Sequence, residues 1–138
     1  MKVLVDTCVW SLALRRRKKT RSESKLISLL EDLIGDLKVV MIGPIRQEIL
    51  SGIRDKSQFL KVRERLRAFP DLPIESEIYE NAAMLFNRCR AKGIQGSNTD
   101  FLMCAISETN KLEILTIDRD FRHFRSVIGL KLYPLPEH

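Results

Sequence analysis

Ile114-Leu115-Thr116-Ile117-Asp118-Arg119-Asp120-Phe121 is an apolar, β-branched run that ends abruptly in carboxylates and then an aromatic side chain. Such a run reads as a strand turning directly into a helix. The amino terminus shows the same figure in Val3-Leu4-Val5-Asp6-Thr7. Two strands at opposite ends of the chain therefore each carry an aspartate at the carboxyl tip. In a parallel sheet, that tip is where an open α/β fold places its ligands.

Between the two runs, short strand patterns alternate with helical ones. Val9, Trp10, Ala13 and Leu14 recur at helical spacing and predict a first helix from Thr7 to about Arg17. Ser22 is a candidate cap for a second helix, whose stripe Leu26, Leu29, Leu30, Leu33 and Ile34 runs up to Gly35. Val39 to Ile42 reads as a buried strand, followed by a helix with Pro44 at its start and Ile45, Ile49 and Ile53 turned inward. Further helices are predicted over about 56–68 and 76–92, with an extended piece at 72–74 between Pro70 and Pro73. Asn98 is the expected cap of a sixth helix, apolar nearly all round and hence buried. A short helix bearing Phe121 and Phe124 follows the opening stretch, and Leu130 to Tyr133 alternates as an edge strand closed by Pro134 and Pro136. The alternation predicts an α/β fold in three layers, a mainly parallel sheet of four to five strands flanked by helices. No repeat or linker interrupts it, so residues 1–138 read as a single domain.

With 138 residues, the chain can bury roughly two thirds of its extended surface. Its longest apolar run, Phe101 to Ile106, is far short of the ~18 residues that span a membrane. The first strand begins too early for a signal peptide, and a cytoplasmic location is expected. Cys8, Cys89 and Cys104 have unrelated spacings and read as reduced core thiols. His123 and His138 are too few for a zinc site of the usual Cys/His kind. A net charge of +6 favours an anionic partner, nucleic acid above all. Arg15, Arg16, Arg17, Lys18 and Lys19 concentrate part of that charge. They suit either a solvated helix end or a phosphate-contacting edge, and the run is longer than a helix dipole requires.

Four carboxylates sit where a soluble surface does not explain them. Asp6 and Asp118 end buried strands. Glu48 lies about 60° from Ile45 around its helix, at the margin of the buried stripe. Asp100 opens the buried helix. Each alone has a local explanation: a helix cap for Asp6 and Asp118, a dipole-favoured acid for Asp100, and for Glu48 a side chain reaching out to solvent or pairing with an arginine such as Arg46. Together they can reach one sheet edge, where they would repel one another and raise their own pKa values. A hard divalent cation such as Mg²⁺ or Mn²⁺, which takes carboxylate and water oxygens, removes that conflict.

In order and spacing, Val3-Leu4-Val5-Asp6-Thr7, Glu48-Ile49-Leu50-Ser51-Gly52, Asn98-Thr99-Asp100 and Leu115-Thr116-Ile117-Asp118-Arg119-Asp120-Phe121 resemble the PIN-domain ribonucleases. The length and the Trp10-bearing first helix look like the VapC toxins of VapBC toxin–antitoxin pairs. This resemblance implies a Mg²⁺- or Mn²⁺-dependent endoribonuclease, commonly a homodimer, silenced by a cognate VapB-like antitoxin. It implies that Asp6, Glu48, Asp100 and Asp118 are the catalytic and metal-binding quartet, with Asp6 and Asp100 the foremost ligands. Thr116 would support a ligating carboxylate, and Thr7, Ser97 and Asn98 would line the site. Asp120 duplicates Asp118 two residues on; Asp118 is preferred because it sits at the strand tip. The implied substrate is RNA in single-stranded or loop regions, hydrolysed with metal assistance.

Other readings fit less well. A Toprim-type site would use Asp118 and Asp120 with a glutamate in a glycine-bearing turn, but Glu48 lies inside a helix. A haloacid dehalogenase-like phosphotransferase would want an aspartate where Cys8 stands. A housekeeping RNA-processing nuclease, or a silent PIN-like module that only binds RNA or protein, would share the fold.

Overall fold

In the computed structural model, which describes residues 1–137, the expected alternation is realised; His138 lies outside the described residues. In chain order the elements are β1 (Val3–Val5), α1 (Thr7–Leu14), α2 (Arg21–Gly35), β2 (Val39–Val40), α3 (Gly43–Ser51) and α4 (Lys56–Leu66). Next come α5 (Ser76–Ala91), α6 (Asn98–Asn110), β3 (Glu113–Leu115) and α7 (Asp120–Arg125). The strands are parallel in the order β2-β1-β3, with Val3 beside Val39 on one side and Glu113 on the other. The regular ladder is narrower than four to five strands, but single parallel bridges extend it at both edges, Met41 to Asp71 and Ile114 to Leu132. Prolines explain why these flanks go no further: Pro70 and Pro73 bracket the first and Pro134 closes the second, and each lacks a donor for the ladder.

The order 2-1-3 decides where a ligand can bind. From β1 the chain goes first to one side and later to the other, so the sheet reverses direction of winding at β1. Such a switch point opens a crevice at the carboxyl ends of the strands, and Asp6 follows β1 immediately.

All three residues of β1 are fully buried, as a central parallel strand requires. Helix α6 buries every residue from Phe101 to Ser107, and Ser107 satisfies its hydroxyl by donating to the Leu112 carbonyl at 2.5 Å. Its Phe101 packs edge-on to Phe86 and tilted against Phe124, which in turn meets Phe121 edge-on. Gly96 lies against these rings: a Cβ there would come 2.5 Å from Phe124 and 3.0 Å from Phe101. Neither buried ring can swing away. Gly96→Ala is therefore expected to cost about 1–3 kcal/mol through overpacking, read as a lowered Tm in thermal denaturation.

Two boundaries differ from expectation. Helix α1 stops at Leu14 and not near Arg17, because beyond Leu14 there is no apolar face to bury; Lys19 Nζ instead caps the freed Arg15 carbonyl at 2.7 Å. Helix α2 is capped by Thr20 and not by Ser22. Thr20 and Glu23 form a reciprocal capping box, which satisfies two orphan donors where a lone serine would satisfy one. Cys89 and Cys104 are free and buried, and Cys8 is free and half-buried. Among the described residues no helix is long and apolar enough to cross a membrane.

Candidate active site

Parallel pairing of β1 with β3 sets the first contact. Register places Val5 beside Leu115, and the Asp6 backbone N–H continues the ladder by donating to the Leu115 carbonyl at 2.9 Å. Asp6 thus arrives beside Thr116, whose hydroxyl donates to Asp6 Oδ2 at 2.8 Å. The same Thr116 oxygen accepts the Asp118 backbone N–H at 2.9 Å, fixing the turn that presents Asp118. One hydroxyl therefore ties the two strand-tip aspartates into a single unit. Thr116→Val should break both bonds, costing about 1–2 kcal/mol of stability and, on the proposal below, roughly 10–100-fold in activity. Thr116→Ser should restore both, which a side-by-side rate and melting measurement would check.

Asp6 is 7% exposed and caps α1, with Oδ1 accepting the Thr7 N–H at 2.8 Å. Burial raises its pKa; the Thr116, Thr7 and Cys8 hydrogen bonds oppose the rise, and repulsion from Asp118 adds to it. Asp100 is half-buried and also has its pKa raised, again chiefly by burial, with repulsion from Asp6 and Asp118 contributing. These mutual effects place the three aspartates within one field. Glu48 reaches it from α3: its Oε1 accepts the Thr7 hydroxyl at 2.6 Å, and Thr7 is the residue after Asp6. Glu48 is exposed and does not pair with Arg46. Arg46 turns instead to Asp71 and to the Leu66 and Phe69 carbonyls, fastening α3 to the end of α4.

The remaining expected site residues take more local roles. Ser97 caps α6, in place of Asn98, through a box in which Ser97 Oγ accepts the Asp100 N–H and Asp100 Oδ2 accepts the Ser97 N–H. The pattern Ser97-x-x-Asp100 carried that signal. Within this box Oδ2 anchors the Asp100 carboxylate to the Ser97 N–H. Asn98 is exposed in the first turn. Asp118 is half-buried and accepts the Asp120 N–H on Oδ1 at 2.9 Å, whereas Asp120 is exposed in the first turn of α7. Cys8 was not expected at the site; its Sγ lies 3.5 Å from both Asp6 Oδ2 and Thr116 Oγ1. Burial, followed by the Asp6 charge, pushes this thiol up to about 11, so it stays protonated at neutral pH. In the cationic run, Arg17 is committed to Glu23 at 2.6 Å and Lys19 to the Arg15 carbonyl. Arg15 and Arg16 border a cleft between α1 and the start of α4.

The donor set suits a hard cation. Among the described residues, none of the four carboxylates forms an ion pair with a lysine or arginine. No three acidic, histidine or cysteine side chains close around a common point among the described residues. Mg²⁺ can be held by one or two carboxylates while retaining several waters.

Among solved structures, FitAcB from Neisseria gonorrhoeae is similar, with a TM-score of 0.75 and 19% identity over 96% of each chain. VapBC2 from Rickettsia felis, bound to a DNA fragment from their promoter, gives 0.75 at 16% identity, covering 96% of this chain and 98% of that one. FitAB bound to a DNA fragment gives 0.73 at 19% identity over 99% of each chain. At such identities the likeness is one of fold. Comparison with curated proteins finds no match. Residues 3–127 match the PIN domain, and the chain belongs to that family.

Proposed function

We propose that the chain is a Mg²⁺- or Mn²⁺-dependent endoribonuclease and the toxin of a type II toxin–antitoxin pair. The observation that carries the enzymatic part is the carboxyl edge of the sheet. Asp6, Glu48, Asp100 and Asp118 gather there without a basic partner, and two of them are held above their ordinary pKa. A bound Mg²⁺ or Mn²⁺ would supply an acidified water and would neutralise charge on a phosphoryl group. Asp6 and Asp100 are assigned as its direct holders. Their anchoring bonds, from Thr116 and Thr7 to Asp6 and from Ser97 to Asp100, keep both carboxylates oriented before anything binds. Glu48 and Asp118 complete the negative wall, orient water at the attacking side and accept its proton. Thr116 positions Asp6 and Asp118.

The toxin assignment rests on likeness of fold to FitAcB and VapBC2. The proposed partners are accordingly an antitoxin and a second copy of the chain. Incubating the purified protein with labelled single-stranded RNA and single-stranded DNA, in Mg²⁺, in Mn²⁺ and in EDTA, tests the activity. RNA should be cut internally in either metal and left intact in EDTA. Binding without cleavage in every metal would reduce the protein to an RNA-binding module. Preferential cutting of DNA would overturn the substrate assignment.

A further inference from the structure

A second feature adjoins the carboxylate edge and carries the opposite charge. Between α7 and the following chain lies a pocket of about 490 Å³, lined in part by Thr116, Asp118, Arg119, Arg122, Arg125 and Tyr133. That volume lies within the range that accepts a small ligand. The three arginines recur every third residue and so fan over about 120° of one helix face. All three are exposed, and among the described residues none of their guanidinium groups forms an ion pair or hydrogen bond. Cations in the last turn of a helix would account for Arg122 and Arg125 as dipole complements. Arg119 at the opposite end gains nothing from the dipole, yet it faces the same pocket. Ile117, also lining it, leaves 45% of its surface exposed beside half-buried Tyr133.

We propose that this pocket binds the nucleotide next to the phosphate held at the carboxylate edge, in a single-stranded RNA. The inference rests on the nuclease reading and adds to it the site that holds the flanking chain. Arg122 and Arg125 take the phosphate, Arg119 bridges toward the scissile position, and the base lies against Tyr133 and Ile117. A nucleotide matches this combination because it joins an anion to a flat apolar face, which aromatic and guanidinium surfaces bind with little regard to sequence. Thr116 and Asp118, which belong to the carboxylate edge, also line this pocket, so one strand can pass from the one to the other. An acidic peptide would satisfy the arginines but would leave Ile117 and Tyr133 without a partner.

The test uses the full chain, an Arg122→Gln/Arg125→Gln variant and an Arg122→Lys/Arg125→Lys variant. The probe is a fluorescein-labelled single-stranded RNA of about ten nucleotides. For the glutamine variant in Mg²⁺, KM should rise about tenfold with kcat unchanged, the signature of lost uniform binding. In EDTA, the slope of log affinity against log salt should flatten by about 0.7, for the one phosphate the two arginines share. The lysine variant should keep the salt slope. An unchanged KM and slope in a cleaving glutamine variant would reject the pocket and leave the nuclease reading intact. A flattened slope in a protein that never cleaves would keep the pocket and reject the nuclease reading. If a glutamate-rich peptide binds the wild type but not the glutamine variant, while RNA binding is equal in both, the pocket serves a protein partner and the proposal falls.

Discussion

Asp6→Asn and Asp100→Asn are each expected to lower Mg²⁺-dependent RNA cleavage by at least about 10³-fold, or about 4 kcal/mol of transition-state stabilisation, while leaving the fold intact. Each aspartate performs two separable jobs. Asp6 caps α1 and Asp100 closes the capping box of α6. Asparagine caps a helix about as well as aspartate, so Asp6→Asn retains the bond to the Thr7 N–H. What each substitution removes is a negative charge that burial already disfavours in the metal-free protein. Both variants should therefore melt at the wild-type temperature or above it, and loss of activity cannot then be put down to unfolding. Single-turnover cleavage beside circular-dichroism melting decides the matter. A well-folded Asp6→Asn protein that cuts RNA at the wild-type rate would remove Asp6 from the site.

Much of this arrangement was legible in the chain because it depends on short-range pattern. Apolar runs bounded by helical stripes identify β1, β2 and β3, and parallel pairing then sends Asp6 and Asp118 to the same edge. The width of the sheet was less readable. Around Asp71 and Leu132 the composition suits a strand, but nearby prolines limit the pairing to single bridges. The end of α1 departs from expectation for a related reason: Arg15 to Arg17 have fair helix propensity, and only the lack of a surface to cover stops the helix at Leu14. At the site, the carboxylates and the supporting role of Thr116 could be anticipated, but not which carboxylate each support would meet. Thr116 bonds to a residue 110 positions away, and Glu48 meets Thr7 across 41 positions. Such partners follow from tertiary placement and leave no local trace. Cys8 reads as a core thiol in the sequence, and only the fold sets its sulfur beside Asp6.

Acid should act on activity and on stability in opposite directions. Asp6 and Asp100 both hold their protons to higher pH than an ordinary aspartate, mainly through burial. A cation and a proton compete for the same oxygens, so metal binding and cleavage should fall as pH drops through these raised values. With two carboxylates titrating together, the acidic limb of log(kcat/KM) should steepen from about tenfold toward about 100-fold per pH unit. The metal-free fold obeys the reverse sign. Between the unfolded and the raised folded pKa, the native state binds more protons than the unfolded chain, so stability falls as pH rises through that window. The strain from these two buried charges is fully present above the folded pKa and relieved below the unfolded one. Saturating Mg²⁺ should cancel this local penalty at neutral pH, adding about 1.4 kcal/mol at ten times Kd. Melting curves from pH 4 to 8, in EDTA and in Mg²⁺, should therefore diverge as pH rises and converge in acid. Asp6→Asn should flatten the EDTA curve and remove most of the divergence. Parallel curves in EDTA and Mg²⁺ at every pH would mean that the cation does not bind where the buried carboxylates titrate.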